Sequence, residues 1–338
     1  MKFSRMLAAA GLALALASGT NMGAKAADPV KIRIAWVVPQ GNLPSIMEEV
    51  PAGVLKHAGK TYLPELVHFQ GTPPMITALA SNDIDIGDLA YSSLALAIEN
   101  GGMKDLRVIA DESEDGYENY GTSPFMVRND SGIKKVEDLK GKTIAGVGAG
   151  SAVDIAMRAM LKKHGLGDHD YTSIEAAFPN MKALLLQKKA DMISEVLPFM
   201  LDPELTSQAH ALFTVKDILG PSQFIVWTAK QDFIKKNRAA MVDFLEDSMR
   251  SWQWFLDPKN RDAALAISAK VSNLPTKAFA DWAFTGKDNY RSPTLMPNLP
   301  GLQRAWDAQK SVGLMKTSLK VDQYSDVSMV KEAAARLK

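Results

Sequence analysis

Two runs of alternating strand and helix signals, separated by a break near residue 120, constrain this chain more than any other feature. KIRIAWVV (31–38) reads as a strand, with Asn42 or Ser45 placed to cap a following helix. LVHF (66–69) reads as a second strand, after which Thr72 stands at an N-cap with Pro73 at the first helical position. DIDIGDLA (83–90) reads as a third, followed by a helix from Ser92 to Glu99 that stops at Gly101-Gly102, and LRVIAD (106–111) as a fourth. DESEDGYENYGTS (111–123) is acidic, contains glycine and is poor in aliphatics, so it reads as an exposed linker. The rhythm then restarts with PFMVR, KTIAGVG, a helix over 152–164 capped by Ser151 with Asp154 three residues on, SIEAAF, a helix over 181–189 and DMISEV. A second break, LGPS (219–222), precedes the strand FIVWTA, and 232–338 reads as amphipathic helices interrupted by SPTLMPNLPG (292–301). Such alternation predicts an α/β fold with mostly parallel sheets and a helical C-terminal region. The breaks divide it into a first lobe over 27–120, a second over 121–221 and a return to the first over 222–338. Two crossings imply a hinge, and 338 residues are more than one compact core usually holds.

The N-terminus reads as an address. Lys2 and Arg5 precede a twelve-residue apolar stretch, Met6 to Ala17, and Ala24-Lys25-Ala26 before Ala27 fits the small-x-small cleavage rule. A stretch that short cannot span roughly 30 Å of hydrocarbon, so it predicts export with cleavage after Ala26 over a retained anchor. Cleavage removes three bases and no acid, leaving 36 bases against 38 acids. A near-neutral balance gives no electrostatic footprint for nucleic acid or for an anionic membrane surface. The absence of cysteine closes off disulfides, thiolate nucleophiles, zinc-thiolate sites and acylation of an N-terminal Cys.

Motif chemistry is mostly excluded by spacing. In GKTIAGVGAGS (141–151) the dinucleotide pattern fails, because the third glycine it requires is Ser151 or Val153. The GKT strings at 59 and 141 lack the earlier glycine of a phosphate loop, where Val54 and Val136 stand. Two readings remain for this segment: a turn that brings backbone close to a ligand at a helix N-terminus, or a tight turn with an ordinary cap. The five histidines, His57, His68, His164, His169 and His210, have no metal-ligand spacing, and Asp83, Asp85 and Asp88 do not make an EF-hand loop. No GxSxG elbow is present. Neither a metal nor a cofactor is expected.

Taken together, GTPPMITALASNDIDIGDLAYSSLALAIENG, LRVIAD, FMVRNDSGIKKVEDLKGKTIAGVGAGSAVDIAMRAMLKKHGL and ALLLQKKADMISEV resemble the periplasmic solute-binding proteins of the nitrate, taurine and alkanesulfonate type. The thiamine-pyrimidine precursor binders belong to the same superfamily. The similarity runs from about residue 30 to 230, and it departs at Asn82 and at Lys188-Lys189-Ala190-Asp191, where family members commonly carry glycine-led turns. The resemblance implies a two-lobed periplasmic-binding-protein fold of type II that closes on one small ligand by hinge motion. It further implies a periplasmic, monomeric, non-catalytic protein that delivers this ligand to an inner-membrane ABC permease with its ATPase. Pyrimidine synthases of thiamine biosynthesis share the fold and supply an enzyme alternative, disfavoured here because no His or Cys falls in the expected cleft loops.

Ligands of open α/β sheets lie beyond the carboxyl ends of the strands. Those ends supply Gln40, Asn42, Gln70, Thr72, Tyr91, Ser92, Ser151, Asn180 and Glu195, with Trp36 and Phe178 as aromatic walls. No Arg or Lys is among them, so an anion would be held by helix N-terminal amides and hydroxyls. Glu195 complicates this, because it either pairs with a ligand amine or serves as an ordinary salt-bridging or solvated acid. A sulfonate or related small organic anion, a zwitterion such as an aminosulfonate, and a neutral or cationic heteroaromatic stacked on Trp36 or Tyr91 all remain open at this level.

Overall fold

The computed structural model describes residues 28–311 and 313–337. The expected leader at 1–26 therefore lies outside the described residues. Among those described, the strands are β1 (Val30–Trp36), β2 (Tyr62–His68), β3 (Ile86–Ala90), β4 (Leu106–Asp115), β5 (Pro124–Arg128), β6 (Thr143–Gly146), β7 (Thr172–Glu175), β8 (Met192–Ser194), β9 (Ala209–Thr214) and β10 (Ser222–Lys230). The helices are α1 (Pro44–Met47), α2 (Pro73–Ser81), α3 (Tyr91–Glu99), α4 (Ala152–Lys163), α5 (Phe178–Leu186), α6 (Pro203–Gln208), α7 (Val215–Leu219), α8 (Gln231–Leu256), α9 (Arg261–Ser272), α10 (Leu299–Ser311) and α11 (Ser328–Arg336).

Two five-stranded sheets result, ordered β2-β1-β3-β10-β4 and β7-β6-β8-β5-β9. Chain order changes sheet between Asp115 and Pro124 and returns between Thr214 and Ser222. The sheets are mixed where mostly parallel ones were expected. β1 runs parallel to β2 and β3, and β6 to β7 and β8, through helical crossovers. β10 and β5 enter by crossing between lobes and run antiparallel to both neighbours. A strand that arrives from the other lobe is not bound to the right-handed crossover that makes its neighbours parallel.

The segment over 111–123 is the larger correction. β4 continues through Asp111, Glu112, Ser113, Glu114 and Asp115, all of them buried. A buried acid that stays ionised needs partners, and a strap at 288–298 supplies donors along this sheet edge. Ser292 N donates to Asp111 (2.7 Å), Asn298 Nδ2 to Glu114 (2.7 Å), and Arg291 pairs with Glu112. Backbone bonds from Asp111 N to Leu295 O and from Glu114 N to Tyr290 O fix the strap in register and cover an otherwise open edge. Only the tail of the segment turns. There Asp115 accepts from Thr122 Oγ1 (2.5 Å), Ser123 N (2.9 Å) and Ser123 Oγ (2.8 Å), folding the crossover back on itself.

One hydrophobic core runs through both lobes on the side of α3, α4 and α10, joining Leu94 and Ile98 to Val153, Met157 and Trp306. A second fills the back of the first lobe around Ile34, Trp227, Phe244 and Trp252. No helix of the described residues is long and apolar enough to cross a membrane.

Candidate functional site

A cleft between the sheets encloses about 730 Å³, its open mouth included. Its first-lobe wall is the segment after β1 and the ends of β2 and β3; its second-lobe wall is the glycine-rich turn before α4, the start of α5 and the segment after β8. Gly148 (φ 121°) and Gly150 (φ 83°) adopt backbone angles that side chains resist, which lets the turn double back into the α4 N-terminus. Ser151 caps that helix as expected, its Oγ accepting from Asp154 N (3.3 Å), and the residues that open α4, Ala152 and Val153, line the cleft. Their first-turn amides and the helix dipole favour negative charge here. α2 offers no such donors in its first turn, because Pro73 and Pro74 occupy it.

Of the residues expected at the site, Asn42, Gln70, Thr72, Ser151 and Phe178 line this cleft. Two of them do different work from the caps expected. Asn42 Oδ1 accepts from Val37 N (3.0 Å) and Val38 N (2.6 Å), shaping the turn after β1. Thr72 makes no cap bond; its hydroxyl meets Ser93 Oγ at 2.7 Å. Gln40 lines a smaller adjoining pocket with Trp252 and Trp282. Tyr91 and Ser92 are buried where the lobes touch, donating to Ala152 O (3.3 Å) and Gly150 O (2.9 Å). Trp36 packs on His68, ring centroids 4.3 Å apart, and Asn180 is exposed on α5. None of these last four, nor Glu195, lines the cleft.

Glu195 is fully buried, and neither carboxylate oxygen has a hydrogen-bond partner. It is thus neither salt-bridged nor solvated, and burial pushes its pKa up to about 9. Sequence reasoning missed its counterpart. Asp88, on β3, lines the cleft, is 1% exposed and likewise has two oxygens without a donor. Its signal was a single acid inside an otherwise apolar strand, IGDLA, which a reading of the 83–88 acids as one strand-to-turn cluster obscured. Asn289, brought in by the residues that begin the strap, and Phe224 on β10 complete the lining.

Next to Asp88, Glu112 accepts from Leu43 N (2.8 Å), Trp227 Nε1 (2.5 Å) and Arg291. Arg291 also donates to Glu112 O (2.6 Å) and Gly41 O (2.9 Å) and lies over the Trp252 ring at 4.4 Å. This buried ion pair holds the turn after β1 against β4. Burial raises the pKa of Asp88 well above its ordinary value, and the Glu112 charge adds to it, with Arg291 opposing. Among the described residues no Lys, Arg or His lines the cleft. Chemically, the site offers an acid at one wall, a helix N-terminus at the other, and apolar faces from Phe178, Phe224, Val37 and Leu197 between them.

Known proteins share this architecture. Residues 117–261 match the NMT1/THI5-like family model. The alkanesulfonate-binding protein SsuA from Xanthomonas axonopodis pv. citri, bound to MOPS, superposes with a TM-score of 0.70 at 19% identity, covering 89% of this chain and 100% of that one. The periplasmic nitrate-binding protein NrtA from Synechocystis PCC 6803 gives 0.70 at 14% identity, covering 92% and 89%. The desulfurization enzyme DSZB gives 0.64 at 16% identity, covering 91% and 100%. The chain has the two-lobed α/β fold of these binding proteins. That fold also carries an enzyme, so the chemistry of the site has to decide what it does.

Proposed function

We propose that this chain is the solute-capturing component of an importer, closing on a small amine-bearing solute and delivering it to a membrane permease. The observation that carries the ligand assignment is Asp88: a buried carboxyl with no donor, on the wall of a cleft that has no basic side chain. A plain sulfonate or nitrate brings no cation for that carboxyl to pair with. A zwitterion suits both walls, its ammonium facing Asp88 and its anionic group facing Ser151 and the first turn of α4. Export to the periplasm, with the leader cleaved after Ala26, belongs to the same proposal.

Phe178 and Phe224 favour a second reading, in which a flat amino-heterocycle lies between aromatic walls and presents its amino edge to Asp88. In both readings the amine at Asp88 is the shared element, and the role expected of Glu195 passes to Asp88.

A thermal-shift panel on the protein tests this, with aminosulfonates, aminopyrimidines, unsubstituted alkanesulfonates and nitrate. A true ligand at 100 times its dissociation constant adds about 2.7 kcal/mol of stability. Stabilisation by amine-bearing compounds is the expected result. Stabilisation by alkanesulfonates or nitrate alone would overturn the assignment.

A further inference from the structure

We infer that the cleft takes the ammonium group of its solute in exchange for a proton: Asp88 stands as a neutral carboxylic acid in the empty cleft and releases its proton when that group docks against it. This rests on the amine-bearing reading above and adds the charge state of the ligand and the stoichiometry of capture.

The charges and donors around this one carboxyl decide its state. Glu112 faces Asp88 from β4, and Arg291 faces it from the strap. Arg291 is held away from Asp88 by its bonds: Nε donates to Glu112 O, Nη2 to the Glu112 carboxylate and to Gly41 O, and its flat face covers Trp252. From β10, Trp227 is paired with Asp88 across the sheet and gives its indole N–H to Glu112. From the segment after β1, the Leu43 amide also goes to Glu112, while Asn42 turns its carbonyl oxygen to Val37 and Val38. The facing second-lobe wall presents Ser151, Ala152 and Val153, which carry no charge. Two carboxyls therefore share one guanidinium, and of the two only Glu112 receives hydrogen bonds, from Leu43 N, Trp227 Nε1 and Arg291. The proton that a buried pair of acids must retain sits on Asp88.

The exchange balances without any change of oxidation state. The Asp88 O–H bond breaks, the proton passes to water, and the carboxylate left behind accepts hydrogen bonds from R–NH3⁺. At Asp88 the charge is the same before and after, so the ammonium is buried without leaving a net charge at that wall. Affinity for a permanently protonated amine then rises about tenfold per pH unit for as long as Asp88 is protonated in the empty cleft.

Two measurements test this. Carboxyl 13C NMR of ligand-free protein labelled at aspartate is expected to show a resonance still protonated at pH 7 that is absent from Asp88→Asn, distinct from that of Asp111, which burial pushes up to about 7. If the Asp88 resonance titrates in the ordinary carboxylate range, the exchange is overturned whether or not any ligand is in hand. Titration calorimetry of taurine in buffers of low and high ionisation enthalpy is expected to report about one proton released, with a tenfold gain in affinity between pH 6 and 7. Taurine binding with no proton release overturns the exchange and leaves the amine reading standing. Failure of taurine and benzylamine alike to bind overturns both.

Discussion

The two sheets share one strand order, and each places an acid without a partner on or just beyond its middle strand: Asp88 on β3 and Glu195 just after β8. Asp88 forms part of the cleft wall, whereas Glu195, equally buried, does not. Their surroundings differ as well. Asp88 stands beside a charged network of Glu112 and Arg291, while the charge that bears on Glu195 is that of Asp202. An unpartnered acid that a ligand can reach is a recognition element. One that nothing can reach is a local cost that the rest of the fold must outweigh.

The largest effect should come from breaking the network on the first-lobe side. Arg291→Ala leaves Glu112 buried without its guanidinium and frees the strap and the turn after β1, so urea denaturation should show a loss of about 3–5 kcal/mol. A loss under about 1 kcal/mol, the worth of an exposed pair, would mean that the strap is held by its backbone bonds alone.

On the second-lobe side the sign reverses. Glu195 has a folded pKa of about 9, above its ordinary value of 4.5, so it favours the fold below 4.5 and loses that contribution as pH rises towards 9. Glu195→Gln removes this loss while keeping the shape. The variant should match wild type near pH 4.5 and exceed it by about 2–4 kcal/mol at pH 7.5, since each tenfold change in proton affinity between the folded and unfolded states is worth about 1.4 kcal/mol. A variant less stable than wild type at pH 7.5 would show that Glu195 makes a contact worth more than its burial costs.

Binding should divide the two acids again. Asp88→Asn keeps the volume and removes the charge, so an amine-bearing ligand should bind about 10- to 100-fold more weakly, the value of one charge-assisted bond. Glu195→Gln should leave the same affinity within about twofold by titration calorimetry. If Glu195→Gln is the more damaging of the two, the contrast drawn from the cleft lining fails. The smallest effect belongs to Ser151→Ala, which removes the α4 cap at a cost of about 1 kcal/mol in thermal stability. It should weaken an anionic end of the ligand only slightly, because the α4 amides remain.

Much of this architecture was legible in the sequence because it rests on local rules. The alternation of strands and helices, the two crossings between sheets, the Ser151 cap and the glycines of the 146–150 turn all follow from propensity, capping and backbone freedom. The buried acids did not, because what decides their burial lies far along the chain. Asp111 to Asp115 look like solvent-facing linker until Ser292, Arg291 and Asn298 arrive to meet them, more than 170 residues later. Glu195 and Asp88 show the same limit from the other side. Position at a strand end placed Glu195 near a ligand and passed over Asp88, because only the packing of the two lobes determines which carboxyl the cleft reaches.

The most direct test of amine recognition at Asp88 is a matched pair of ligands on wild-type protein. Taurine and ethanesulfonate present the same anionic end to Ser151 and α4, and differ in whether an ammonium reaches Asp88. By titration calorimetry, taurine should bind at least about tenfold more tightly, and Asp88→Asn should erase the difference. Ethanesulfonate binding as tightly as taurine, or binding Asp88→Asn more tightly than wild type, would contradict this and leave an anion held by the α4 amides as the cleft's ligand.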